Sequence, residues 1–307
     1  MSQASRFGVS MKYFFQYPDL IGPVGSLLDA GPIQELAVAC EQSGWGAFSF
    51  TDHPAPGARW LSSGGHQSLD PFVALTAVAA VTSKILLVPY LVVLPYRNPF
   101  ITAKAAATVD LISNGRFVLG VGAGYLKGEY HAVGVNFDER NALFDESIDA
   151  MRKYWKGEPF SHDGIHFSAR EILALPAPPR RDIPIWIGGN AKLTKRRVAE
   201  RAEGWMPLLG DPTLMNTTRT PAIENLGREI AEVKSMAGPR AESLEFVIAM
   251  PRGLDADPKS NARAIRDEVK RLEDIGITWV VSSPPWNPAP HAINWIRDYG
   301  DYVINVA

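Results

Sequence analysis

Arg116-Phe-Val-Leu-Gly-Val-Gly-Ala-Gly-Tyr125 is an apolar strand that runs straight into glycines spaced G-x-G-x-G. A strand ending in residues without side chains brings bare backbone to the mouth of a sheet, where α/β proteins bind their ligands. The spacing decides between two ways of building that sheet. A doubly wound dinucleotide-binding sheet needs G-x-G-x-x-G in its first strand-to-helix turn. Here Tyr125 stands where the third glycine belongs, and the stretch falls in the fourth strand-helix unit. The doubly wound reading is rejected.

Outward from this stretch, strand-like runs fall at 7–10, 47–51, 85–93, 116–121, 185–187, 205–207, 244–250 and 278–282. Helical patterns fall at 32–43, 71–82, 99–112, 139–155, 192–202, 222–236, 261–275 and 292–302. Eight alternating units predict an α/β fold, a (β/α)8 TIM barrel with insertions, covering 1–307 as a single domain. Asp70-Pro71 and Asn98-Pro99 are helix-start signals, a capping side chain before a proline. Two connections are too long for simple barrel loops, about 53–69 and 156–182. The first follows a strand and belongs to the catalytic mouth; the second follows a helix and reads as a short hairpin.

Lys and Arg number 31 against 33 Asp and Glu, a net charge of −2, so no global field draws the chain to nucleic acid or an anionic membrane. Neither is expected as a partner. Cys40 is the single cysteine, in an apolar helical pattern, which excludes an internal disulfide and a multi-cysteine metal site. The most apolar run, 85–95, falls well short of the roughly 20 residues of a membrane helix, and residues 1–6 have no apolar signal core. A soluble, cytoplasmic protein is expected.

In a barrel the C-terminal strand ends carry function. The second strand ends in Thr51-Asp52-His53, where His53 suits a general acid or base whose tautomer Asp52 or backbone would fix; the competing reading is a loop-capping histidine. His66, His131, His162, His166 and His291 show no metal-binding spacing, and no metal is expected. Gly188-Gly189-Asn190 before a helix suits phosphate, with Lys192 adding charge in the first turn; a tight turn is the alternative. Lys195, Arg196 and Arg197 read as a solvated face. Gly120, Gly122 and Gly124 point to one side and leave room either for bulky neighbours or for a ring system. Trp60, His66, Tyr90, Tyr96 and Tyr125 lie in or beside mouth loops, as a substrate pocket needs, whereas Trp155 and Trp279 read as packing residues.

Thr51-Asp-His-Pro54, Gly64-Gly-His66 with Leu69-Asp-Pro-Phe-Val-Ala-Leu75, Tyr96-Arg-Asn-Pro99, Gly115 to Gly124 and Pro184-Ile-Trp-Ile-Gly-Gly189 occur in an order that resembles the bacterial luciferase-like flavin and deazaflavin oxidoreductases. Within them the chain is most similar to the branch using coenzyme F420. The resemblance spans roughly residues 5–210; beyond that it rests on the strand and helix pattern alone.

The resemblance implies a cofactor ring at the barrel mouth, near Gly122 and Gly124, with its phosphate after Gly188-Gly189 at Asn190 and Lys192. It implies a cis peptide at Tyr90-Leu91 behind the ring, cofactor contact by Asp52 and proton transfer by His53. Trp60, His66 and Tyr96 would face the substrate. The family's sugar-phosphate dehydrogenases carry a glutamate acid where this chain has Tyr125, and a phosphate-binding lysine near Asp211. Sugar-phosphate oxidation is therefore not expected. Tyr125 becomes a candidate for the proton-transfer role, and Glu129 a substitute only if its loop turns it inward. The expected function is F420-dependent hydride transfer to or from a small-to-medium organic substrate, in a homodimer, with a separate F420 or flavin reductase as partner. The alternatives are an FMN-dependent monooxygenase using reduced flavin and oxygen, and a non-catalytic flavin- or deazaflavin-binding protein.

Overall fold

The computed structural model describes residues 11–209, 223–251, 253–285 and 292–306. In chain order these form β1 (Lys12–Gln16), α1 (Ile33–Gln42), β2 (Ala47–Ser49), α2 (Ala58–Ser62), α3 (Pro71–Ala79), β3 (Leu86–Leu87), β4 (Val92–Val93), α4 (Pro99–Ile112), β5 (Leu119–Gly122), α5 (Lys127–Ala132) and α6 (Arg140–Trp155). Then come β6 (Pro159–Asp163), β7 (Ser168–Leu173), β8 (Ile185–Gly188), α7 (Lys192–Arg201), β9 (Gly204–Met206), α8 (Ile223–Ala237), β10 (Glu245–Ala249), α9 (Ala262–Asp274), β11 (Trp279–Ser282) and α10 (Ala292–Tyr299). The expected strand at 7–10 lies outside the described residues.

Nine parallel segments form one sheet in the order β3-β2-β1-β11-β10-β9-β8-β5-β4. Its two end members are halves of one expected strand, 85–93, so the ends meet. Leu87 bridges Phe117, with the Leu87 amide donating to Arg116 O and the Val118 amide to Leu87 O, and β4 pairs with β5 two residues beyond the break. The sheet is a closed eight-strand barrel. The break is where the Tyr90–Leu91 peptide is cis. β6 and β7 form a separate antiparallel hairpin within 156–182.

Alternation along each strand sorts side chains to the two faces. Phe14, Val118, Trp186, Val247 and Val281 share one buried cluster inside the barrel with Trp279, while their neighbours Phe15, Leu119, Ile187, Ile248 and Val280 join the larger cluster under the helices. The lumen is packed rather than open, as small barrels require. Trp155 and Trp279 are both buried, as expected of packing residues.

Asp70 and Asn98 accept from the first-turn amides of α3 and α4, and both helices begin at the proline that the sequence marks. Arg116, inside the glycine-rich stretch, is a structural tie. Its guanidinium donates to the carbonyls of Ala79, Thr82, Ile85 and Ser113, closing the C-terminal turns of α3 and α4 against the sheet. Among the described residues no helix is long and apolar enough to cross a membrane.

Candidate active site

The strand C-termini converge on one cavity of about 520 Å³. His53, Tyr125, Asp52, Tyr90, Leu91, Gly122, Gly124, Gly188, Gly189, Asn190 and His66 all line it. Lys192, the first residue of α7, does not: it is exposed. Trp60, Tyr96 and Glu129 stand behind the wall rather than in it.

The floor explains the glycines. Leu91, swung inward after the cis bond, lies between two strands, so that a Cβ at Gly122 would sit 2.6 Å from Leu91 Cδ1 and one at Gly188 would sit 2.2 Å from Cδ2. At Gly120 a Cβ would strike the Pro89 carbonyl oxygen at 2.1 Å, and at Gly124, whose φ is +68°, Val93 Cγ1 at 2.4 Å. Of the two readings left open by the sequence, room for bulky neighbours is the one this packing fills.

His53 is held at three points. Ser68 Oγ accepts from its amide at 2.8 Å and donates to its carbonyl at 3.2 Å, and the ring Nδ1 faces Glu129 Oε2 at 3.3 Å. The loop thus turns Glu129 inward, to 1 % side-chain exposure against 11 % for His53. Glu129 also accepts from the Tyr96 hydroxyl at 3.1 Å and the Ala55 amide at 3.4 Å. An ionised carboxylate has no proton to give, so the proton of a neutral His53 belongs on Nδ1 and Nε2 is left for a ligand. Trp60 packs on His53 with ring centroids 4.6 Å apart. Tyr96 is buried behind this pair, its hydroxyl pKa pushed upward by burial and by Glu129, and it donates to the carboxylate. Tyr125 lines the cavity; burial, then Glu129, raise its hydroxyl pKa as well.

Asp52 reaches the cavity wall, but both oxygens are engaged: Oδ2 accepts from the Val93 amide at 3.1 Å and Oδ1 from Arg97 at 2.9 Å. Arg97 also reaches the α3 cap Asp70. Asp52 therefore ties the second strand to the broken third one. Burial raises its pKa in spite of the arginine.

At the α7 side, Gly189 has a left-handed φ of +118°, and its amide donates to Met206 O. Asn190 makes a reciprocal pair with the Leu208 backbone, donating at 2.8 Å and accepting at 2.9 Å. These residues fix the turn. The open donors begin after them, because Ala191 caps α7 without a side-chain bond and leaves first-turn amides free at the positive end of the helix. Charge comes from elsewhere than the sequence suggests. Arg197, read as solvated, has a side chain 5 % exposed, lines the cavity and is held by Asp145 at 2.8 and 2.7 Å. Lys195 is likewise buried, paired with Glu232; Arg196 is exposed as expected. Arg140 joins Arg197 on the wall.

Sequence reasoning missed Gln16, Asp19, Arg140, Asn141, Thr194 and Arg197, all of which line the cavity. Thr194 and Arg197 are three apart on α7 and share a face, a signal available from helical spacing. Asp19, three residues beyond β1, was available from the rule that strand ends carry function. Among the described residues no group of three or more His, Cys, Asp or Glu is placed to hold a metal ion.

Comparison with known proteins places this geometry. A protein of Mycobacterium tuberculosis without assigned function is 31% identical over 258 residues, 80% of this chain and 82% of that one. The F420-dependent glucose-6-phosphate dehydrogenase of Nocardia farcinica is 27% identical over 301 residues, covering 88% and 85%. Among solved structures, the coenzyme F420-dependent tetrahydromethanopterin reductase of Methanopyrus kandleri superposes with a TM-score of 0.71 at 17% identity, over 96% of this chain and 98% of that one. The oxygenating constituent of 3,6-diketocamphane monooxygenase of Pseudomonas putida, in complex with FMN, superposes at 0.72 and 15% identity, over 96% and 98%. The model of the luciferase-like monooxygenase family matches residues 7–276. With a closed barrel, a cavity at its strand ends and that match over most of its length, this chain belongs to the luciferase-like monooxygenase family, whose members are oxidoreductases.

Proposed function

We propose that this protein is a coenzyme F420-dependent oxidoreductase acting on a small-to-medium organic substrate. The observation that carries the reading is His53, lining the cavity and backed by the buried Glu129, in a cavity that also offers free helix amides and two arginines. Hydride chemistry on an alcohol or carbonyl carbon needs a group that takes or gives the accompanying proton, and a carboxylate-oriented imidazole is suited to it. The family relationship to a named F420-dependent dehydrogenase supports the same coenzyme.

The residues present fit a phosphorylated tricyclic group. When bound, the deazaflavin supplies a carbon that accepts or donates a hydride. The protein's part is positional and protolytic. The amides opening α7, with Thr194, Arg140 and Arg197, would hold the phosphate. Leu91, kept in place by the missing side chains at Gly122 and Gly188, forms an apolar floor for a ring. His53 would exchange a proton through Nε2, and Tyr125 borders the same space.

Titrating the purified protein with oxidised F420 and, separately, with FMN tests the coenzyme. The expected result is F420 binding in the range of tens of micromolar or tighter, with FMN at least about tenfold weaker. FMN binding without F420 binding would replace this reading by a monooxygenase fed with reduced flavin.

A further inference from the structure

The loop after β1 and the loop 53–69 are stitched together outside the barrel ladder. Ile21 and His66 form an antiparallel bridge, the Gly22 amide donates to Gly65 O at 2.8 Å, and the Gln67 amide donates to Leu20 O at 2.9 Å. Position 65 must be glycine, because a Cβ there would lie 2.4 Å from the Trp60 ring. The stitch sets Asp19 and His66 face to face on the cavity wall, Oδ1 3.5 Å from Nδ1. Asp19 Oδ2 accepts from Gln16 Nε2 at 2.9 Å, which fixes the carboxylate's rotation.

His66 Nδ1 also faces the Gln67 carbonyl at 3.2 Å. A carbonyl can only accept, so the neutral ring carries its proton on Nδ1 and presents Nε2 as an acceptor. Burial raises the Asp19 carboxyl's pKa, opposed by His66, by His53 and by hydrogen bonds from Gln16 and Thr51; once ionised, Asp19 is an acceptor at both oxygens. The pair therefore offers lone pairs to the cavity. It lies beside the reactive histidine: the His66 and His53 rings meet edge to face at 4.9 Å, and Trp60 packs on both.

We propose that Asp19 and His66 anchor the substrate and select one bearing a hydrogen-bond donor, a hydroxyl or an amine, over one bearing a carboxylate or phosphate at that point. This rests on reading the cavity as the oxidoreductase's site, and it adds the chemical class of the substrate. A hydroxyl or ammonium satisfies the carboxylate, whereas an anion meets a like charge across a short, partly desolvated gap. Discrimination of this kind is large because the losing ligand leaves a polar group of the wall unpaired.

The test uses nitrogen NMR of the histidine side chains in the full-length protein. The probes are cyclohexanol, cyclohexylamine and cyclohexanecarboxylate, which share a ring and differ in the polar group. The alcohol and the amine are expected to move the His66 Nε2 signal and to bind at least about tenfold tighter than the carboxylate. Asp19→Asn is expected to weaken the amine about tenfold while leaving F420 affinity unchanged. His66→Gln provides a second variant, expected to weaken the alcohol should Asp19→Asn lower the melting temperature. Carboxylate binding as tight as the alcohol's, silence of the His66 signals up to about 50 mM of each probe, or unchanged affinities in both variants overturns the proposal. An F420 titration on the same samples keeps the two readings apart: the expected ranking without F420 binding retains the substrate anchor and removes the coenzyme assignment.

Discussion

Glu129 stands behind His53, its Oε2 3.3 Å from the imidazole Nδ1, and the same oxygen accepts the Tyr96 hydroxyl. An orienting carboxylate of this kind acts on turnover more than on ligand affinity. Glu129→Gln is expected to lower kcat by roughly 10- to 100-fold with KM within about threefold of the parent. Tyr96→Phe, which removes one donor from that carboxylate, should cost less than Glu129→Gln. Steady-state kinetics on the same substrate checks both, and a Glu129→Gln enzyme at full kcat would remove Glu129 from the proton-handling group.

Two glycines of one strand should fail in different ways. At Gly122 an added methyl meets the end of the Leu91 side chain, which can rotate away into the cavity; at Gly120 it meets the Pro89 backbone carbonyl, which cannot. Gly120→Ala is expected to lose about 1–3 kcal/mol or more in denaturant unfolding. Gly122→Ala should keep most of its stability and lose coenzyme affinity about tenfold, with Leu91→Ala in the same chain restoring part of it. Equal stability losses for the two would contradict the packing described.

Arg116→Met should unfold more easily without touching the site. The substitution leaves the carbonyls of Ala79, Thr82, Ile85 and Ser113 without their donor in a buried region. The expected loss is about 2–4 kcal/mol, read from urea melts, with coenzyme binding per folded molecule unchanged.

Burial pushes the Asp255 carboxyl up to about 6 from its ordinary 3.8, with a hydrogen bond from Ser282 opposing the shift. A carboxyl raised on folding binds more protons in the native state than in the unfolded one between those values. Its effect on stability is therefore a loss as pH rises from about 4 to about 6, with no further change above. Asp255→Asn should match the parent near pH 4 and exceed it by about 1–3 kcal/mol near pH 7.5. Parallel denaturation curves for parent and variant across that range would show the shift to be absent.

The barrel was legible because each strand-helix unit carries its own local period and its own start and stop residues. α4 runs from Pro99 to Ile112, the range its sequence pattern predicts. The third strand was read as one run over 85–93, whereas the ladder breaks into β3 and β4; apolar residues on both sides of residues 90 and 91 hide the break from any periodicity argument. The resemblance, not the residues themselves, pointed to a cis bond there. Lys195 and Arg197 read as solvated in the sequence because their partners Glu232 and Asp145 come from other helices, and ion pairs between distant segments leave no mark in local spacing. The sequence places Lys192 in the site by its nearness to the glycines; in the structure it is exposed and does not line the cavity. Whether Glu129 faces in or out depends on how α5 packs against the residues after the second strand, a long-range contact with no local signature.

Arg197 faces the cavity while Asp145 and the side-chain oxygen of Asn141 grip its guanidinium from α6. In evolutionary terms these three positions are one locus. Removing Asp145 alone strands the buried Arg197 guanidinium, so a lineage that recruits a differently charged ligand to this end of the cavity has to change α6 and α7 together. The charge presented at this end of the cavity is thus inherited as a block spanning α6 and α7.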